Sequence, residues 1–217
     1  VPPCAPDDDD RYIVSGMEGA LIEIRQHYYG AVAFLDEQAG VLAAELRTRE
    51  ALDDTIFVFT SDRGNMLGDL GRMFDGVPYD AVTRVPGAIR YPAGIPAARR
   101  IGNVLDAASL APTLLDLAGV PTSERFEAPS AKGLLAGETA EWNDAAFGES
   151  GFRWVRTARH KLVEAGEHPT WTGELYDLAK DPREGANLYG DAGSAGIRRE
   201  LEAQLQTWRT RSRRGSL

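Results

Sequence analysis

The sequence predicts an α/β chain in two parts: helices and short strands first, then a small antiparallel sheet with one packed helix. Three observations carry this. Apolar residues near the start recur at helical spacing. Two short β-branched and aromatic runs follow, parted by a glycine-punctuated loop. Beyond about residue 140, four strand-like runs come in quick succession before a last amphipathic segment. The expected divisions are a linker-like segment over 1–14, an α/β part over 15–140 and a small α+β part over 141–217.

The chain opens on "VPPCAPDDDD", Pro-rich and then acidic, the composition of a linker. Ser15 and Glu18 have the spacing of a capping box. After them Tyr28, Val32, Leu35, Ala39, Leu42 and Leu46 step by four and three, which marks one face of a long helix. Gly30 and Gly40 weaken that helix without stopping it. Asp53 and Asp54 turn the chain, and Ile56 to Thr60 reads as a buried strand. Ser61 to Asp80 is a long loop of the kind that compact domains keep for function. Val85 to Tyr91 reads as a second strand, followed by the turn-rich "YPAGIPAARR". Ser109 is placed to cap a helix through "LAPTLLDLA", with Pro112 tolerated in its first turns. Gly119 then serves as its C′ residue and Pro121 as a stop. A polar stretch over 122–143 leads into "AAFGES", "FRWVRTA", "HKLVEA" and "ELYDL", whose close spacing predicts a meander. The last helix, about 194–210, carries Ile197, Leu201, Leu205 and Trp208 on one face.

Composition excludes several classes. The 217 residues carry a net charge of −9, which disfavours nucleic acid because phosphate binding needs a basic face. A small anionic substrate stays open, since a local site can oppose the global sign. Cys4 is the single cysteine, so no intramolecular disulfide can form. With His27, His160 and His168 the only histidines, no Cys/His zinc spacing exists. No apolar stretch approaches the roughly 20 residues of a membrane span. No signal-peptide pattern is present, which leads to a cytoplasmic expectation if Val1 is a genuine start. Phosphate-binding Gly loops and the G-x-S-x-G elbow are absent from the sequence. His27 lies on the first helix, where a packed or surface role is the default.

Six phrases nevertheless occur in a telling order: "YYGAVAFLDEQAG", "TIFVFTSDRGNMLGDLG", "TRVPGAIRYPAGIP", "LAPTLLDLAGV", "VRTARHKLV" and "ELYDLAKDPREGANL". Together they resemble the C-terminal half of the sulfatases, members of the alkaline-phosphatase-like superfamily. The resemblance covers about residues 25–190. It implies a partial doubly wound α/β sheet, followed by a small domain with a four-stranded antiparallel sheet. It further implies sulfate-ester hydrolysis, with a formylglycine nucleophile made from the cysteine of a C-x-P-S-R segment. A bound divalent cation, usually calcium, holds the sulfate oxygens in that family. The nucleophile, a pair of aspartate ligands and several basic groups belong to its N-terminal half.

The resemblance maps Asp62 onto an aspartate metal ligand, and a hard cation does want carboxylate oxygen beyond the end of a strand. Arg63 stands where the family usually has His or Asn. A guanidinium has no lone pair to donate, so it cannot ligate calcium. It could replace the cation and bind an anion directly, or be a surface residue of a decayed site. Asp75 stands where the family commonly has Lys, which reverses the sign presented to a sulfate. Leu70 occupies the usual histidine of a "GEHG"-like stretch. One such change could be variation; the three together, in incompatible directions, point to relaxed function. Arg84, in the R-V-P phrase, is a possible anion contact or a loop-orienting partner for a carboxylate. Arg156, Lys161 and "ELYDL" are markers of the small domain, with packing and turn formation as their main expected roles. Asp181 and Pro182 signal a turn.

Cys4 is not a convincing nucleophile. "CAPDD" has C-x-P, but Asp8 replaces the expected arginine and no helix start follows. Asp7 to Asp10 read as a solvated acidic run rather than metal ligands. The expectation is a truncated sulfatase-like chain without formylglycine, with low or no activity by itself. The alternatives are a degenerate binding module, or part of a related phosphonate or phosphodiester hydrolase. A small sulfate ester is the expected substrate if an N-terminal half completes the site. Neither nucleic acid nor membrane is expected as a partner. Half of a doubly wound sheet should leave an open edge and a bare apolar face, which favours self-association.

Overall fold

The computed structural model describes residues 18–123, 126–138, 142, 144–165 and 173–214. The expected linker over 1–14, Ser15, Cys4, the Asp7–Asp10 run and His168 lie outside those residues. The described chain forms two compact units, one up to Ala97 and one from Ala98.

The first unit opens with α1, Glu18–Thr48, a helix of 31 residues. Its expected apolar face is exposed along much of its length, including Val32, Leu35 and Leu42. The helix ends where Glu50 turns left-handed at φ 56°. Strand β1, Phe57–Thr60, pairs antiparallel with β2, Gly87–Arg90, with Val58 opposite Ile89. The sequence predicts a buried strand here, and this needs correction: Phe59 is 38% exposed and Thr60 is exposed. A strand with one neighbour in a two-stranded sheet keeps a free edge in water. Between the strands lies the long loop, ending in the short helix α2, Asp80–Thr83.

The second unit contains α3, Leu110–Leu117, with Pro112 in its first turn. Its start departs from expectation. Ser109 makes no side-chain cap; it is buried inside a 3-10 turn over Ala107–Ser109 that runs straight into α3. Asp106 does the capping instead, accepting from Ala108 N. Its other oxygen accepts from Phe147 N at 3.0 Å and so ties the helix start to the sheet. The far end is as predicted. Gly119 is left-handed at φ 71°, while Gly119 N and Val120 N bond back to the last turn. A five-residue helix, α4 (Lys132–Ala136), lies within the stretch read as polar connection. Leu134 and Leu135 bury it, but one turn is too short to show a period.

The meander forms as predicted. Strands β3 (Ala145–Glu149), β4 (Arg153–Thr157), β5 (His160–Glu164) and β6 (Glu174–Asp177) pair antiparallel in chain order. Helix α5, Ala195–Arg214, covers one face. Leu201 and Leu205 bury themselves with Ala145, Val155, Leu162 and Leu175, and Ile197 packs at the margin. Trp208 stacks on Phe147 with ring centroids 5.5 Å apart. The period-2 face of the strands thus meets the period-3.6 face of the helix, the arrangement that buries both.

Candidate functional site

The site of interest is the loop that begins where β1 ends. Thr60 Oγ1 donates to Pro86 O at 2.9 Å, fixing the mouth of the loop against the start of β2. Ser61 Oγ donates to Arg63 O at 2.7 Å and turns the chain at the tip. Gly64 N then donates to Val82 O at 2.7 Å, so the backbone passes close to α2. A Cβ at 64 would run into the Ala81 carbonyl, which is why glycine stands there. Further along, Met66 N donates to Phe74 O at 2.9 Å and Gly68 N to Arg72 O at 2.7 Å. The loop is therefore a tight ladder of cross-chain bonds around buried Met66 and Met73.

This closure forces unusual backbone. Leu67, Leu70 and Phe74 have φ of 48°, 52° and 65°, in the left-handed region that side chains disfavour. Strain of this kind persists only where surroundings over-determine it, and it concentrates at functional loops. Here the surroundings include α1. Arg25 Nε donates to Leu67 O at 2.7 Å, Arg25 Nη2 reaches Asp69 Oδ1 at 3.1 Å, and Leu21 lies against Gly68. Nothing in the spacing of α1 pointed to Arg25; only the folded loop brings it to Leu67.

Asp62 sits just past the end of β1 with its side chain 82% exposed. Arg63 does not project alone. Its Nη1 donates to Asp75 Oδ2 at 2.5 Å, while its Nε lies 3.6 Å from Asp62 Oδ2. This corrects the picture of separate, incompatible changes at 63 and 75: the two reversed charges pair with each other across the loop. Leu70 is half-buried at the strained turn and brings no polar group to Asp62. Arg84 follows α2, with an exposed side chain that pairs with no described carboxylate.

The described residues do not by themselves make a divalent-cation site. Among the described residues no group of three His, Cys, Asp or Glu side chains converges. The carboxylate placed for the metal already faces a permanently protonated guanidinium.

The remaining positions are structural. His27 is exposed on α1, with Nδ1 2.8 Å from Glu23 O. His160 is half-buried on β5, and burial lowers its pKa below the ordinary imidazole value. Arg156 bonds Thr157 O at 3.1 Å on β4. Lys161 is more than a marker. It is fully buried and pairs at 3.0 Å with Glu184, itself 2% exposed and left-handed at φ 57°. The close run of strand-like segments placed Lys161 on a strand, but its partner lies 23 residues on and could not be read locally. Asp181 anchors the expected turn, its Oδ2 accepting from Ala186 N at 2.8 Å.

An α/β unit with an acid beyond a strand end, followed by a four-stranded meander under a helix, is the layout of alkaline-phosphatase-like hydrolases. Comparison with known proteins narrows this. The sulfatase family matches residues 2–120, and the family described as N-sulphoglucosamine sulphohydrolase, C-terminal, matches residues 70–211. The chain belongs to the sulfatase family. It is 32% identical to an arylsulfatase of Clostridium perfringens, over 78% of this chain and 36% of that one. It is 33% identical to an N-acetylglucosamine-6-O-sulfatase of Bacteroides thetaiotaomicron, over 82% of this chain and 34% of that one. The solved phosphonate monoester hydrolase of Agrobacterium radiobacter superposes with a TM-score of 0.79 at 32% identity, covering 88% of this chain and 42% of that one. The chain thus spans about a third of the length of the curated relatives it matches.

Proposed function

We propose that this chain is the C-terminal portion of a sulfuric ester hydrolase, with low or no activity by itself. The observation that supports the reading is the strained loop at the end of β1, which carries Asp62, the residue the resemblance maps onto a metal-ligand aspartate. The 217 residues contain no C-x-P-S-R segment, so the nucleophile comes from an N-terminal half, in the same polypeptide or on another. The substrate class is a small sulfate ester. The likeness to a phosphonate monoester hydrolase supports a second reading, a phosphonate or phosphodiester substrate on the same frame. The test is hydrolysis of an aryl sulfate and an aryl phosphonate monoester. The chain is assayed alone and then joined to any sulfatase-like segment that its upstream coding sequence supplies. Background activity alone and turnover of the sulfate after joining supports the first reading. Preference for the phosphonate selects the second. Background in every arm overturns both and leaves a non-catalytic binding module.

A further inference from the structure

We infer that Asn187 is a plug on the outer edge of the meander. Its side chain and the Leu188 amide occupy the backbone groups of Leu175 through which β6 would otherwise pair with β6 of a second copy. β6 is the last strand of its sheet, so one side of it has no strand beside it. Such an edge offers a row of N–H and C=O groups to any other strand. Here the row is filled group by group. Asn187 Nδ2 donates to Gly173 O at 3.2 Å, and Leu175 N donates to Asn187 Oδ1 at 3.1 Å. Leu188 N donates to Leu175 O at 2.8 Å, while Lys180 N and Asp181 N donate to Asp177 O at 3.0 and 2.8 Å. Alternate residues of a strand turn their backbone groups to the same side, so these bonds on 173, 175 and 177 close one edge. Asn187 is itself held by an Asx turn, its Oδ1 also accepting from Tyr189 N at 2.9 Å.

The opposite edge supports the reading. β3 is the other outer strand, and its middle residue, Phe147, donates its N–H to Asp106 Oδ2. Each outer strand thus gives an outward N–H to a side-chain oxygen brought from elsewhere in the same unit. The partner that an open β6 would take follows from symmetry. In an antiparallel pair about a two-fold axis, two copies of one residue exchange both N–H···O bonds. A β6–β6 pair centred on Leu175 needs Leu175 N and O from each copy, the two groups that Asn187 and Leu188 fill. A side-chain amide suits the role because one planar group carries a donor and an acceptor, as a peptide does. Loss of that amide leaves Leu175 N and Gly173 O without these partners, and a second strand supplies both.

The experiment follows amide hydrogen exchange at Leu175 and sedimentation of the full chain, with Asn187 intact, as Asn187→Ala and as Asn187→Ser. All three carry Leu35→Glu/Leu42→Glu, at exposed positions of α1, to remove association through that helix. Serine keeps a hydroxyl that accepts from Tyr189 N and preserves the turn, but it is too short to reach the strand. In dilute solution Leu175 is expected to exchange about tenfold faster in both variants than with Asn187 intact. Val155 and Leu162, in the core of the sheet, are expected to keep their rates. On concentration both variants are expected to dimerise, with Leu175 protected again, while the chain with Asn187 stays monomeric. An unchanged Leu175 rate in Asn187→Ser overturns the inference, as does an edge that opens without concentration-dependent association. Faster exchange throughout the sheet, in one variant or both, also overturns it, because Asn187 would then hold the fold rather than its edge. None of these outcomes depends on hydrolysis by the chain.

Discussion

Arg159 and Asp177 show how a single residue pair sets a measurable property. Arg159 Nη2 and Nε reach the two carboxylate oxygens of Asp177 at 2.8 and 3.2 Å, a bidentate grip at the end of β6. The Arg159 hydrogen bond, working against partial burial, holds the Asp177 carboxyl down at about 2 from an ordinary 3.8. A depressed carboxylate pKa contributes stability that is complete above 3.8 and is lost as pH falls toward about 2. The melting temperature should therefore fall across that window, and Arg159→Met should flatten the fall. An unchanged slope in the variant would assign the acid sensitivity to other carboxylates. At the same scale, the sequence revealed that Arg63 and Asp75 were unusual residues, but not that they were partners. They stand twelve positions apart in a loop without period, so no pattern rule links them.

The elements were legible to the degree that their periods were long. The 31 residues of α1 and the alternating strands of the meander could be placed from spacing alone. Helix α4 could not, nor could the transfer of capping from Ser109 to Asp106, which depends on a 3-10 turn that shifts the helix entry by one turn. The loop after β1 was legible only as a loop. Its shape comes from cross-bonds such as Gly64 N to Val82 O, and Gly64 permits that approach. Gly64→Ala should cost about 1–3 kcal/mol, as an added methyl group pushes the loop off α2. Gly87→Ala on β2, with open space around its Cα, should be nearly neutral. Urea denaturation of the two variants measures the contrast. Equal costs would mean that the loop yields freely at 64 and is not held as tightly as its bonds indicate.

For the whole molecule the dominant fact is that α1 is exposed on every side over residues 26–38. Leu35 is 57% exposed and Leu42 61% exposed, with Tyr29, Phe34 and Val41 also in solvent. Exposed apolar residues gathered along one helix form a surface that seeks a partner. No helix among the described residues is long and apolar enough to cross a membrane. The chain by itself should associate or aggregate, and Leu35→Glu/Leu42→Glu should shift it toward monomer. Size-exclusion chromatography with a thermal melt decides this. A compact, cooperatively melting monomer of the parent chain would show that this exposure is tolerated in water.

The sequence by itself determined the family and the two-part α/β plan, because these rest on ordered phrases and on periodicities that local geometry imposes. It also determined that Asp62 stands at a strand end and that the 217 residues contain no C-x-P-S-R segment. Only the tertiary structure decided what the altered residues do. It placed Arg63 between Asp62 and Asp75, brought Arg25 to the strained turn at Leu67, and buried Lys161 against Glu184. The reason is physical. An ion pair or a side-chain strap depends on distances across the fold, and those are set by backbone bonds between residues far apart in the chain.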